Sequence, residues 1–448
     1  MPFIANTEAE RQEMLAAIGC SDLEELWGKA AAPKPTSDFA TLPEGRSELE
    51  VARHLTHLAG KNATDLVCFL GMGYYDHFIP AAVGEIIGRP GFYTAYTPYQ
   101  AEASQGTLQA IFEWQSAICR LTGMSVANAS MYDGGTAVFE AMAMAMRVTR
   151  RRHVVVAAGL SPIFRNILKC YSDSQDCEIT DIVLGDDDDR SGQEKVLAAV
   201  TDKTACAIVQ YPNAFGAVED WTKTIAAVKE AGTLAVCATY PTALAVLKTP
   251  GDMGFDIVVG EGQPLGMPLS FGGPYLGFMC TDMKLMRRMP GRIVGQAQDS
   301  SGRTGYVLTM QAREQHIRRS GAMSNICSNE NLCALTALVY MTLLGRQGLV
   351  EVAELCMDKA RYALAKLTSI KGVRRIGSQP FFNEFVLELP KDADEVAGRL
   401  VEKGYAAGFP LGRYYPARKN QILVSVTEKR TQEEINGFAN AMEAVLWS

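Results

Sequence analysis

The densest group of side chains able to do chemistry lies in one stretch, Tyr96-Thr97-Pro98-Tyr99-Gln100-Ala101-Glu102-Ala103-Ser104-Gln105-Gly106. Phenols, a carboxylate, hydroxyls and amides are the groups that hydrogen-bond polar ligands and carry protons. The stretch is too polar for a buried strand and too broken for a helix. Pro98 disfavours helix at Thr97, so the segment enters extended. From Ser104 onward, Leu108, Ile111, Phe112, Gln115, Ile118 and Cys119 recur at helical spacing. Ser104 is the expected N-cap of a helix that reaches about Thr122 and stops at Gly123. A polar, aromatic loop held by a long apolar helix is one way to present side chains to a ligand. Its plain alternative is a surface loop with an ordinary cap.

Other polar groups point to chemistry less strongly. Gly71-Met72-Gly73-Tyr74-Tyr75-Asp76-His77 is a second glycine and aromatic loop, which either lines a site or turns a corner. Asp186 to Asp189 form an acidic run that suits a solvated loop before a helix better than a metal. His54 and His57 lie three apart on an expected helix, but the chain has five histidines and no obvious third ligand. The eleven cysteines carry no Cys-x-x-Cys or Cys/His spacing, which argues against zinc. Their odd number, and positions inside apolar runs such as Val67-Cys68-Phe69, read as reduced thiols in a reducing, cytoplasmic compartment. The net charge is −7 and no basic block suggests nucleic acid. The chain is 48% hydrophobic, yet no apolar run is expected to span a bilayer, and Met1 to Arg11 lacks the pattern of a secretory signal. Arg313-Glu314-Gln315-His316-Ile317-Arg318-Arg319 is dense in charge. It is either a helix face with intrahelical ion pairs or an anchor for a partner.

The elements that must hold these groups follow from periodicity. Residues 1–60 read as a helical segment, with helices over 8–18, 22–32 and 46–59 and a Pro-rich linker at 32–36. From Asp133 the texture alternates. Helices are expected over 135–150, 161–170, 192–200 and 222–231, and strands over 153–157, 179–183, 205–210, 234–238, 255–259 and 275–280. Apolar strands alternating with helices imply a mostly parallel sheet covered on both faces. A long helix after Asn329, with Leu332, Leu335, Leu338, Val339 and Leu343, closes a large domain over 61–345. Residues 346–448 read as a small α+β domain.

Several motifs resemble the glycine decarboxylase family, the P-protein of the glycine cleavage system. They are the stretch at 96–106, Asn128-Ala129-Ser130-Met131-Tyr132-Asp133-Gly134-Gly135-Thr136-Ala137, Pro290-Gly291-Arg292-Ile293-Val294-Gly295, Gln311-Ala312-Arg313-Glu314-Gln315-His316-Ile317-Arg318-Arg319 and Ser324-Asn325-Ile326-Cys327. They span most of the chain in the right order. The resemblance implies a fold-type I, pyridoxal-phosphate-dependent transferase-like fold, with a large α/β domain and a small C-terminal α+β domain. In some members two homologous halves form one chain; in others the halves are separate subunits, and this chain resembles the N-terminal half.

The cofactor's anchors are the points of departure. Gly134, Gly135 and Thr136 stand where the family places its phosphate turn, but Asp133 opposes a phosphate dianion and reads as a helix cap. The strand 234–238 and its exit Thr239-Tyr240-Pro241 offer no aspartate for the pyridine nitrogen; Ala238 or a neighbour occupies the place. Gln263-Pro264 stands where the catalytic subunit has His-Lys, and proline has no amine for a Schiff base. The glycine loop Phe271-Gly272-Gly273-Pro274 is retained. The resemblance therefore implies that pyridoxal phosphate is bound by subunit 2, and that this chain contributes 96–106 to its partner's site in an αβ or (αβ)2 assembly. There Tyr96 or Tyr99 would stack on or hydrogen-bond the cofactor, Glu102 would orient glycine's amine or shuttle a proton, and Ser104 and Gln105 would bind carboxylate or phosphate. The implied reaction decarboxylates glycine and passes the aminomethyl group to the lipoyl group of the H-protein. The other readings are a non-catalytic scaffold that stabilises subunit 2 and docks the H-protein, and an independent transaminase-like enzyme, which the missing lysine and aspartate oppose.

Overall fold

The computed structural model describes residues 6–30, 42–183, 185–327 and 330–448. The linker expected at 32–36 lies outside them. The chain divides into two units, Met1–Thr64 and Asp65–Ser448. The first holds helices α1 (Glu8–Ala17), α2 (Leu23–Ala30) and α3 (Glu48–Ala59). Thr7 with Glu10, and Ser47 with Glu50, form reciprocal capping boxes that start α1 and α3.

The second unit is built on a seven-stranded sheet of order β2-β8-β7-β6-β5-β3-β4. Its strands are β2 (Val126–Ala127), β3 (His153–Val156), β4 (Glu178–Asp181), β5 (Thr204–Tyr211), β6 (Leu234–Thr239), β7 (Ile257–Glu261) and β8 (Gly277–Thr281). β4, β3, β5, β6 and β7 run parallel, and β8 pairs antiparallel with β7 and with β2. Alternate residues face opposite cores. Ala207 and Val209 of β5 and Cys237 of β6 join Trp114, Trp221 and Tyr340 in one core; Ile208, Val236 and Val259 join Met142, Phe164 and Leu168 in the other. The first core is covered by α6 (Gln105–Thr122) and α12 (Asn331–Thr368), the second by α7 (Gly134–Thr149) and α8 (Pro162–Ser172).

Among the described residues α12 is long and apolar enough to cross a membrane by length and composition, where the sequence reading expected no such run. Its apolar character serves the core: Ala334, Ala337 and Tyr340 pack under the sheet. Gly345, at φ 62° and ψ −174°, breaks the helix, and Ala360, Ala363 and Leu367 beyond it pack in a different core. That core lies on a second, four-stranded sheet of order β11 (Arg374–Arg375), β12 (Glu384–Glu388), β15 (Gln421–Ser425), β14 (Phe409–Pro410), covered by α13 (Ala393–Val401) and α14 (Gln432–Trp447). β1 (Val67–Cys68) pairs with β13 (Tyr405–Ala406), and Phe69 stacks on Phe438 at 4.2 Å. Residues just after 64 thus pack with the C-terminal sheet rather than with the seven-stranded one.

A hairpin absent from the periodicity reading, β9 (Ile293–Gln298) with β10 (Thr304–Thr309), lies against α6. Two glutamines of α6 clamp it with both ends of their amides. Gln115 donates to the Val294 carbonyl at 3.0 Å and accepts from its N–H at 2.9 Å. Gln105 does the same to Tyr306 at 2.8 and 2.9 Å.

Candidate functional site

The stretch 96–106 has no regular structure up to Tyr99, whose N–H donates to the Thr97 carbonyl at 2.9 Å in a tight turn where an extended entry was expected; a short 3-10 turn at Ala101–Ala103 then leads into α6. Tyr96 is 82% exposed, and Glu102 is exposed on the turn. Among the described residues no hydrogen bond to the Glu102 side chain is seen. Ser104 sits at the N-cap position, as expected, but with φ −124° and ψ 22° its hydroxyl caps nothing. Gln105 is engaged inside the chain through its clamp on β10, and its amide also donates to the Ala101 carbonyl at 2.8 Å.

Tyr99 is held from two sides. The Arg292 guanidinium lies over its ring, 4.6 Å from the centroid, and Nη2 donates to the phenol oxygen at 2.6 Å. His316 meets the ring edge-on at 5.6 Å. Arg292 is buried and donates through Nε to Glu314 Oε2 at 3.1 Å; the same oxygen lies 3.6 Å from His316 Nδ1. Arg292 Nη2 also reaches the Cys327 sulfur at 3.5 Å. Arg313 Nη2 donates to the Gly291 carbonyl at 2.8 Å, and Nη1 to that of Met289. The motifs at 290–295, 311–319 and 324–327 therefore converge on the stretch at 96–106. Of the charged segment Gln315–Arg318 is α-helical, between 3-10 turns at Gln311–Arg313 and Arg319–Gly321, and it is too short for the intrahelical ladder that a longer helix face would offer. Its inner residues bind this cluster, while Arg318 and Arg319 are exposed.

A second polar cluster is buried at the ends of β6 and β7. Gly134 opens α7, with Asp133 as its N-cap: Oδ1 accepts from the Thr136 N–H at 2.8 Å. The Gly134 N–H donates to Glu261 Oε2 at 2.9 Å, and a Cβ on Gly134 would sit 2.9 Å from that of Glu261. Glu261 Oε1 accepts from the N–H groups of Gln263 at 2.9 Å and Leu276 at 3.0 Å. Burial outweighs these donors and pushes the Glu261 carboxyl up to about 7. Gln263 is buried, bonded to both backbone groups of Tyr75, and Pro264 follows it. Ala238 is buried at the end of β6.

Beside these, the Tyr75 and Tyr240 rings stack at 4.1 Å. The Tyr75 hydroxyl donates to Glu384 at 2.8 Å, and burial pushes the Glu384 carboxyl up to about 7. His77 shares a hydrogen bond with the Tyr240 hydroxyl and bonds Glu428 through Nδ1 at 2.6 Å. Burial works against the Glu428 anion, but His77 and the Phe78 N–H hold its carboxyl below the ordinary value. His77, Cys356 and Glu428 bring three donor atoms within 4.8 Å of one another, a cluster that sequence spacing gives no sign of. Both ring nitrogens of His77 and both oxygens of Glu428 are already hydrogen-bonded. The loop at 71–77 therefore supplies buried members of this cluster, Tyr75 and His77. Glu261, Glu384 and Tyr240 had no marker in the sequence, since each is defined by partners far along the chain.

The sequence profile of the glycine cleavage system P-protein matches residues 1–442. Over 446 residues the chain is 50% identical to a protein of Nitratidesulfovibrio vulgaris (strain Hildenborough) named probable glycine dehydrogenase (decarboxylating) subunit 1, each chain being covered completely. A crystal structure of glycine decarboxylase (P-protein) of the glycine cleavage system, in inhibitor-bound form, superposes with a TM-score of 0.92 at 40% identity, again over all of both chains. The glutamate decarboxylase of Lactobacillus brevis shares the fold alone, at 14% identity and a TM-score of 0.68 over 93% of this chain and 95% of its own. The architecture is that of fold-type I pyridoxal-phosphate enzymes. With its whole length matched by the relatives and nearly all of it by the profile, this chain belongs to the glycine cleavage system P-protein family.

Proposed function

We propose that this chain is subunit 1 of a glycine decarboxylase and works in the cytoplasm as αβ or (αβ)2 with a subunit 2 that carries pyridoxal phosphate. The complex takes glycine, releases carbon dioxide and transfers the aminomethyl group to the lipoyl group of the H-protein, whose disulfide is the electron acceptor. This chain's own residues do not fit the cofactor. The N–H at the start of α7, which would receive a phosphate, is already bonded to the buried carboxylate of Glu261, with Asp133 beside it. Ala238 offers the pyridine nitrogen no charge, and Gln263-Pro264 follows β7 with no lysine. In this reading Gly134, Gly135 and Thr136 are a vestigial phosphate turn, and this chain's part in the chemistry is to complete the partner's site with 96–106.

One observation carries this reading. Tyr96 and Glu102 are exposed on a segment whose base is fixed to the β9–β10 hairpin, so that ligand-binding groups face outward from a rigid support. The competing scaffold reading finds its support in Gln105, whose amide is spent on the hairpin. Glu102→Gln separates the two, since it keeps size and removes one charge. If Glu102 acts in the partner's site, glycine–carbon dioxide exchange by the reconstituted complex slows by roughly 10²–10⁴-fold with the melting point unchanged. Normal exchange with a lowered melting point would favour the scaffold.

A further inference from the structure

We infer that Glu314 and Arg292 are positioning residues for Tyr99, and that the charged segment at 311–319 serves as the internal brace of the 96–106 loop. The inference rests on the reading of that loop as part of the partner's site. Tyr99 is about half exposed, so one side of its ring is offered outward and the other is gripped. The grip has two jaws: the Arg292 guanidinium, over the ring and on the hydroxyl, and the His316 imidazole at the ring edge. One oxygen, Glu314 Oε2, ties both jaws together. Arg292 and Glu314 are themselves 2% and 6% exposed, which removes them from direct contact with anything outside the chain. Arg313, bonded to the carbonyls of Met289 and Gly291, fixes the segment to the start of β9, where Arg292 is rooted. A free tyrosine at a loop tip samples several rotamers; this one is restrained on its face, edge and hydroxyl. Such restraint matters for rate, because a misplacement of about 1 Å at a reacting centre can cost ~10²-fold.

The test is a double-substitution cycle in the reconstituted complex with the partner subunit, read by glycine–carbon dioxide exchange and by melting temperature. Arg292→Lys keeps a charge but loses the planar, two-point hold; Glu314→Gln keeps the shape and frees both jaws. In the wild-type background each lowers the exchange kcat by roughly 10–100-fold with little change in KM for glycine. In a Tyr99→Leu background, which removes what the jaws hold, each lowers kcat by less than ~3-fold further, while the loss in melting temperature persists in both backgrounds. Rate penalties that multiply independently of Tyr99 overturn the inference, as does an unchanged rate in both single variants. If Tyr99→Leu alone leaves exchange unchanged while Glu102→Gln slows it, the inference falls and the reading of the loop survives. If neither changes exchange, the reading of the loop fails with it.

Discussion

Glu261 tests how this chain holds a buried carboxyl at the start of α7. Its carboxyl is buried, accepts three backbone N–H groups, and is still pushed by burial from the ordinary 4.5 up to about 7. A carboxyl that titrates higher in the folded chain than in the unfolded one binds its proton more tightly when folded. Its contribution to stability is therefore complete below about pH 4.5 and is lost as the pH rises through 7. At ~1.4 kcal/mol per pH unit over that window, the loss is roughly 3 kcal/mol. Glu384 is pushed to about 7 by the same cause and adds a parallel slope, so the wild-type curve alone does not isolate Glu261. Glu261→Gln does. The amide keeps one acceptor oxygen and turns an NH2 group toward a backbone donor, a cost of about 1–3 kcal/mol that does not depend on pH. The variant's deficit relative to wild type is then largest near pH 5 and shrinks by roughly 3 kcal/mol toward pH 8. Urea unfolding of both proteins across that range measures it. A deficit constant to within about 0.5 kcal/mol over the range would refute the reasoning, because it would mean that the Glu261 carboxyl ionises as readily in the folded chain as in the unfolded one.

Purified alone and mixed with pyridoxal phosphate, the chain should show no Schiff-base absorbance and no glycine decarboxylation; a borohydride-trapped pyridoxyl-lysine at stoichiometric yield would contradict the assignment of the cofactor to subunit 2. Replacing Gln115 by Ala leaves the buried N–H and carbonyl of Val294 unpaired and should cost roughly 1–3 kcal/mol for each group. The same change at the more exposed Gln105, whose partners on Tyr306 water can reach, should cost less; equal losses in urea unfolding would refute the clamp model. Charge reversal at Arg318 and Arg319, which face outward from the braced segment, should weaken complex formation or raise the KM for the H-protein. A folded double variant with both quantities unchanged would make those two arginines an ordinary solvated surface.

The layout of the large sheet was legible because burial leaves a periodic trace. β5, β6 and β7 are apolar on both faces, and the helix Thr222–Glu230 between β5 and β6 repeats at 3.6 residues, so a mostly parallel sheet covered on both faces follows, although only a 3-10 turn, Pro241–Ala245, separates β6 from β7. The β9–β10 hairpin left no such trace. Gly295, Gln296 and Gln298 break the alternation, and the strands are held at their edge by glutamines on another helix rather than by a buried face of their own. The buried polar cluster was opaque for a related reason. Glu261 meets Gly134 across 127 positions and His77 meets Glu428 across 351, and no local pattern encodes a contact of that range.

Residue type also conceals how a polar group is used. Gln105 and Gln115 lie on one helix, and both amides are spent inside the chain. Arg292 and Arg318 lie in neighbouring motifs, yet one is buried beneath Tyr99 and the other is exposed. Subtracting the groups whose hydrogen bonds are consumed internally changes the chemistry that 96–106 can offer. Gln105 is committed to β10, and Tyr99 gives its hydroxyl and one face to Arg292. Tyr96 and Glu102 remain turned outward, one apolar with a polar tip and one charged. The outward-facing chemistry of the loop is thus narrower than its sequence, reduced to the groups whose hydrogen bonds are not consumed inside the chain.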